Sequence, residues 1–315
     1  MEAYVQTVTG PVPAASLSFI LPHEHVGIGG YSSHGRDPWD WWAIINDEDL
    51  LADELLEFKR LGGSCIVDMS NIGLGRNPEL LRRLSVRTGV PIVMGAGWYR
   101  GSRATPESFI ERRMVNDLAE EIVREFSDGV GTTGIKPGII GEVGTDKAWV
   151  NPTEERVFRA VARASRATGL AVLTHAMRGR VGLDELSILL EEGVDPSRIV
   201  VHSVCCVPYV DYFVEILQRG AYLEIDYLGI YSGPVYEGFE RRVIGILLQL
   251  LDRGYVERIL ISHDFGVSYN LRGFGGHGYT YVPQVFLPKI RAQGVSEEAI
   301  HQMTVLNPRQ VLSLS

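Results

Sequence analysis

Leu21-Pro22-His23-Glu24-His25 closes the apolar run Leu17-Ser18-Phe19-Ile20. On an extended strand successive side chains point to opposite faces, so His23 and His25 project together and Glu24 the other way. Alone, such a pair reads as two polar histidines satisfied at a strand end. It becomes half of a metal site only if other segments supply matching ligands. Four more apolar runs finish on candidates: Glu142, His175, His202 and Asp264. Imidazole and carboxylate bind zinc and neighbouring first-row metals, and six such groups exceed what one tetrahedral catalytic zinc needs while keeping an open position. The set points to two divalent metal ions, zinc first with manganese or cobalt as alternatives, sharing a bridging ligand. Metals held in this way lower the pKa of a water between them and polarise a carbonyl or phosphoryl oxygen, which is hydrolase chemistry.

The elements that must position these residues alternate short apolar runs with longer helical patterns. Strands are expected over residues 17–25, 65–69, 91–95, 138–143, 170–175, 198–202, 221–226 and 258–264. A helix is expected over 47–61, another from Asn77-Pro78, a long one over 106–126, and one from Asn151-Pro152 with Glu154 and Glu155 in its first turn. Eight strands, each followed by helical sequence, predict an α/β fold of the (β/α)8 TIM-barrel type, a single domain over 1–315. The carboxyl ends of barrel strands are where such folds place catalysis, and there the six residues fall. A doubly wound open sheet is the alternative, but no G-x-G-x-x-G follows the first strand.

The H-x-H after strand one, the single histidines closing strands five and six, the Asp closing strand eight and the tail Thr304-Val305-Leu306-Asn307-Pro308-Arg309 resemble the phosphotriesterase family of the amidohydrolase superfamily. The resemblance runs from about Gly10 to Leu314. It implies that His23, His25 and Asp264 hold a more buried metal, His175 and His202 a more exposed one, with a bridging hydroxide between them. Several members bridge the metals with a carboxylated lysine on strand four. The lysines here are Lys59, Lys136, Lys147 and Lys289, and none falls where that bridge is needed. Glu142, in Gly141-Glu142-Val143-Gly144-Thr145, does. With Phe274-Gly275-Gly276-His277-Gly278-Tyr279 after strand eight, this is similar to the phosphotriesterase-homology and phosphotriesterase-related branch, which bridges with glutamate. Paraoxon-type activity is therefore not implied.

Other residues carry open readings. Asp264 can shuttle a proton as well as bind metal. Tyr99, beyond strand three, reaches a metal-bound oxygen or the substrate, or only walls the pocket. His263 alternates away from Asp264 and reads as a supporting or packing residue. Arg272 and His277 are candidates for substrate binding, against solvated arginine and tight-loop readings. Cys205 and Cys206 follow His202, but the ligand set is complete without them. Trp39, Trp41 and Trp42 cap the pocket or bury area.

The 315 residues, 45% hydrophobic with net charge −9, carry no basic cluster, so nucleic acid is not an expected partner. No apolar run approaches a membrane span and the amino-terminal residues lack a secretory pattern, so a cytoplasmic protein is expected. Three cysteines, two of them adjacent, read as reduced thiols. A homodimer is only a family-level expectation. The function expected is hydrolysis of a lactone or other carboxylic ester, catalysed through Asp264 and Tyr99. The runner-up is amide (N-acyl) hydrolysis, with phosphotriesterase action as a side activity. A barrel that binds a small ligand without turnover is the reading from another class. Specificity is expected in the loops at 97–103, 226–236 and 266–280.

Overall fold

A computed structural model describes residues 2–27, 47–101, 110–202, 207, 209–230 and 234–315. The chain opens with an antiparallel pair, β1 (Tyr4–Thr7) and β2 (Gly10–Pro13). Eight parallel strands follow in chain order: β3 (Phe19–Glu24), β4 (Gly63–Asp68), β5 (Ile92–Ala96), β6 (Ile139–Gly144), β7 (Val172–His175), β8 (Ile199–His202), β9 (Tyr222–Ile225) and β10 (Ile259–Ile261). Just past the last strand, the Asp264 N–H donates to the His23 carbonyl at 3.0 Å and the His25 N–H to the Phe265 carbonyl at 3.1 Å. These bonds bring β10 onto β3 and close the (β/α)8 barrel that the alternating pattern predicts.

Helices α1 (Glu48–Arg60), α2 (Pro78–Thr88), α3 (Val115–Asp128), α4 (Pro152–Thr168), α5 (Gly182–Glu191), α6 (Val210–Gln218) and α7 (Pro234–Asp252) connect the strands. The expected start signals operate. Asn77 Oδ1 accepts from the Leu80 N–H at 3.1 Å, and Asn151 Oδ1 accepts from Thr153 and Glu154 while Glu154 bonds back to the Asn151 N–H at 3.0 Å. Such caps contribute about 0.5–2 kcal/mol each. The long helix expected from residue 106 instead begins at Val115. Met114 is extended, and the Asp117 carboxylate accepts its N–H at 3.4 Å, so the cap falls there.

Strand residues divide into two packed sets. Ile20, Cys65, Val67, Val93, Ile139, Leu173, Val200, Tyr222 and Leu260 pack together inside the barrel. Leu21, Ile66, Ile92, Ile140, Val172, Val201, Leu223 and Ile261 face the helices. On β7, β8 and β9 this alternation runs undisturbed into His175, His202 and Glu224, all on the inner face. On β3 and β6 it does not. Between Leu21 and Glu24 three residues of β3 advance against two of β4, from Ile66 to Asp68. Between Ile140 and Val143 three residues of β6 advance against two of β7. Each irregularity inserts one residue, which re-aims the side chains beyond it. His23 and Glu142 thereby reach the inner face. Gly144 keeps β6 close to β7, since a Cβ there would lie 2.6 Å from the His175 Cβ.

The amino end of the barrel is covered by the small sheet, where β11 (Ser313–Leu314) pairs with β1 and the Val8 N–H reaches the Ile92 carbonyl at 2.9 Å. Among the described residues, no helix is long and apolar enough to cross a membrane.

Candidate metal centre

At the carboxyl end of the barrel the six sequence-predicted residues converge, every one of them buried. Two sets of ligand atoms, each within 4.8 Å of one another, are formed by His23, His25, Glu142 and Asp264 and by Glu142, His175 and His202. Glu142 belongs to both. Its Oε2 lies 2.8 Å from His175 Nδ1, 3.1 Å from His23 Nε2 and 3.9 Å from His202 Nδ1. Asp264 Oδ1 lies 3.0 Å from His25 Nε2 and 3.4 Å from His23 Nε2. Asp264 has φ +56°, a left-handed conformation that costs a non-glycine residue roughly 1–2 kcal/mol.

Partners behind the candidate ligands hold their rings. His23 Nδ1 bonds to Glu224 Oε2 at 2.8 Å, His202 Nε2 lies 2.6 Å from Asp226 Oδ2, and His25 Nδ1 bonds to Ser70 Oγ at 3.0 Å. Asn71 Nδ2 fixes the backbone at Glu142 by donating to its carbonyl at 2.6 Å. Reading the sequence for strand-end ligands misses Glu224 and Asp226. Their signal was present in Tyr222-Leu223-Glu224-Ile225-Asp226, where two acids alternate with apolar residues on one face, as His23 and His25 do. A further set, His23, His202 and Asp226, has its ligand atoms within the same span.

The electrostatics of this cluster call for a cation. Burial disfavours the charged form of His23, yet the Asp264 and Glu224 carboxylates outweigh it and hold the ring well above the usual histidine range. Burial likewise opposes ionisation of Glu142, but His175 and His23 hold its carboxyl well below the usual range. A metal ion would take the place of the second ring proton: with Nδ1–H donated to Glu224, a His23 ring that gives that second proton up turns its Nε2 lone pair toward oxygens of Glu142 and Asp264. That buried nitrogen has no hydrogen-bond partner. Imidazole nitrogens and carboxylate oxygens facing one another across such distances fit a divalent metal, and ordering of ligand rings by carboxylates behind them is the usual support for one. The buried His, Glu and Asp groups can thus hold a metal ion.

A cavity of about 300 Å³ opens above the cluster, lined by His25, Tyr99, Glu142, His175 and Asp264 together with Met177, Tyr227, Ile230, Gly266, Val267, Tyr269 and Asn270. Tyr99 Oη bonds to His175 Nε2 at 3.0 Å, so it both walls the cavity and touches a ligand. Tyr227, also at positive φ, sets its ring edge-on to His202 at 5.8 Å. Arg272 and His277 do not line this cavity. Arg272 is half-exposed with its guanidinium 3.8 Å from Glu57, and the His277 ring packs edge-on against Tyr281 at 4.7 Å. His263 has the supporting position its alternation predicts, bonding Glu24 Oε1 at 2.7 Å. Trp39, Trp41, Trp42, Cys205 and Cys206 lie outside the described residues, and Cys65 is a buried free thiol.

Comparison with known proteins assigns the chain to a family. A family model described as the phosphotriesterase family matches residues 3–312. The phosphotriesterase homology protein of Escherichia coli is 32% identical over 294 residues, which is 93% of this chain and 97% of that protein. The N-acetyltaurine hydrolase of Dictyostelium discoideum is 32% identical over 278 residues, 86% of this chain and 74% of that protein. A crystallised mutant of a phosphotriesterase-like lactonase from Deinococcus radiodurans superposes with a TM-score of 0.83 at 28% identity, covering 98% of this chain and 99% of that one.

Proposed function

We propose, from the premise that this chain belongs to the phosphotriesterase family of metal-dependent hydrolases, that it cleaves a lactone or other carboxylic ester at a two-metal centre. The observation that carries this reading is the shared carboxylate of Glu142, which lies between two buried sets of ligand atoms. His23, His25 and Asp264 would hold one ion and His175 and His202 the other, with the Glu142 carboxylate shared between them. Divalent ions bound there supply Lewis acidity and a water acidic enough to ionise near neutral pH.

The chain's own residues do the rest. Asp264, ordered by His25 at 3.0 Å and facing the cavity, accepts a proton and passes it to the leaving oxygen. Tyr99, fixed on His175, presents a phenol to the acyl group, and Met177, Tyr227, Ile230 and Val267 exclude bulk water. Met177, Ile230 and Val267 give the cavity an apolar wall, which favours an acyl compound with an apolar body. The N-acetyltaurine hydrolase relative favours a second reading, an N-acyl amide, which places the same carbonyl carbon in the same position.

The deciding experiment is a panel of lactones, aryl and alkyl esters, N-acyl amino acids, N-acetyltaurine and phosphotriesters, run with zinc-, manganese- and cobalt-loaded protein. Turnover of lactones or esters well above all other classes is expected. Turnover confined to N-acyl compounds would replace the ester reading with the amide one, and no turnover of any acyl compound would overturn both.

A further inference from the structure

We propose that Glu24, the middle residue of the H-x-H, is a positioning residue that holds Asp264 in the orientation needed at the metal centre. The idea rests on the reading of Asp264 as a ligand, and it starts from the side chain that points away from the site.

Glu24 is fully buried. Its Oε1 accepts from Ser262 Oγ at 2.8 Å, from the His263 N–H at 2.9 Å and from His263 Nδ1 at 2.7 Å, and its Oε2 accepts from the Phe265 N–H at 3.2 Å. His263 Nε2 accepts from the Val282 N–H at 3.0 Å, so the ring's proton sits on Nδ1 and is directed to Glu24. The amides on both sides of Asp264 therefore end on the two oxygens of one carboxylate, and the amide of Asp264 itself ends on the His23 carbonyl. Beyond Ile261, where β10 stops, the backbone bonds to the first barrel strand hold this turn only through the Asp264 N–H and the Phe265 carbonyl. Yet Asp264 keeps φ +56°, where an L-residue other than glycine stays only if its surroundings hold it. Glu24 supplies the side-chain part of that hold. Its carboxylate spans residues 263 and 265, and the side chain between them is turned toward His25 and His23.

This separates two jobs along one strand. His23 and His25 face the metals; Glu24 fixes, through the backbone, a ligand on the far side of the barrel closure.

The test is a double-mutant cycle on the full chain between Glu24→Gln and Asp264→Asn, read by titration with cobalt(II) alone and by the visible spectrum of the bound ion, which reports ligand geometry. Glu24→Gln is expected to weaken cobalt binding tenfold or more and to change the spectrum when Asp264 is present, and to cost less than about twofold once Asp264 is Asn. Equal losses in both backgrounds, or no loss in either, would show that Glu24 merely closes the barrel and overturn the proposal. If Glu24→Gln fails to fold, Glu24→Asp, which keeps the charge and shortens the reach, takes its place in the cycle. Failure of both to fold would likewise assign Glu24 to barrel closure alone. An Asp264→Asn protein that binds cobalt as the parent does would fall on the ligand reading itself, an outcome distinct from the others.

Discussion

At the scale of single residues, the centre depends on a few buried polar atoms, among them His23 Nε2, which faces carboxylate oxygens without a hydrogen bond. Glu142 is the most constrained, because one carboxylate is approached by three histidines from β3, β7 and β8. Removing a ligand leaves the facing groups buried without compensation, so loss of metal is expected to exceed loss of fold. His175→Asn is expected to lower bound metal from about two ions per chain to about one and to cut turnover at least a hundredfold, with far-UV circular dichroism unchanged. Glu142→Gln is expected to lose both ions. Full metal content in Glu142→Gln, measured by elemental analysis, would remove the bridge from this account. The convergence of these six side chains was legible in the sequence because each ends a recognisable apolar run. The placement of Arg272 and His277 was not: their loop packs on α1 and on Tyr281, and a loop's direction is set by tertiary contacts that no local pattern encodes.

Elements are where sequence reading met its limit. The order of strands, the capped helix starts and the barrel class follow from periodicity and turn chemistry. Face assignment on β3 and β6 does not. Strict alternation from Leu21, which packs against the helices, would send His23 outward as well. One extra residue at each irregularity reverses that, and nothing in the composition marks it. A second element-level feature was also invisible. Glu185 on α5 is buried under β7, bonded to Thr145 Oγ1 at 3.2 Å, and burial pushes its carboxyl up from 4.5 to about 8. Its proton is kept in the fold and lost in the unfolded chain between those values, so this group's contribution falls as pH rises through that window. Glu185→Gln does not titrate. Its unfolding free energy relative to the parent, from urea titrations, is expected to improve from about pH 5 to about pH 8.5, by on the order of a few kcal/mol at most. Parallel profiles would mean that the carboxyl is ionised inside the protein.

For the molecule as a whole, the candidate ligands bridge the closure of the barrel. His23 and His25 come from β3 and Asp264 from just beyond β10, the two strands that the ring must join last in sequence. A metal that binds only the folded form stabilises it by about 2.7 kcal/mol at a hundredfold excess over its dissociation constant. Chelation is therefore expected to lower the melting temperature by several degrees, and zinc to restore it, in calorimetry of the same sample. An unchanged transition would place the metal energy outside the folding equilibrium. The small sheet of β1, β2 and β11 lies at the opposite pole, so its repacking should leave metal content alone.

The inserted residues on β3 and β6 have an evolutionary consequence. Because each one decides which way the next side chain faces, a single codon deleted ahead of His23 or Glu142 would turn a ligand outward while every ligand stayed in the chain. A lineage could abandon metal chemistry in one step that no tally of retained histidines and acids would reveal, and the same step in reverse could build a site into an inert barrel.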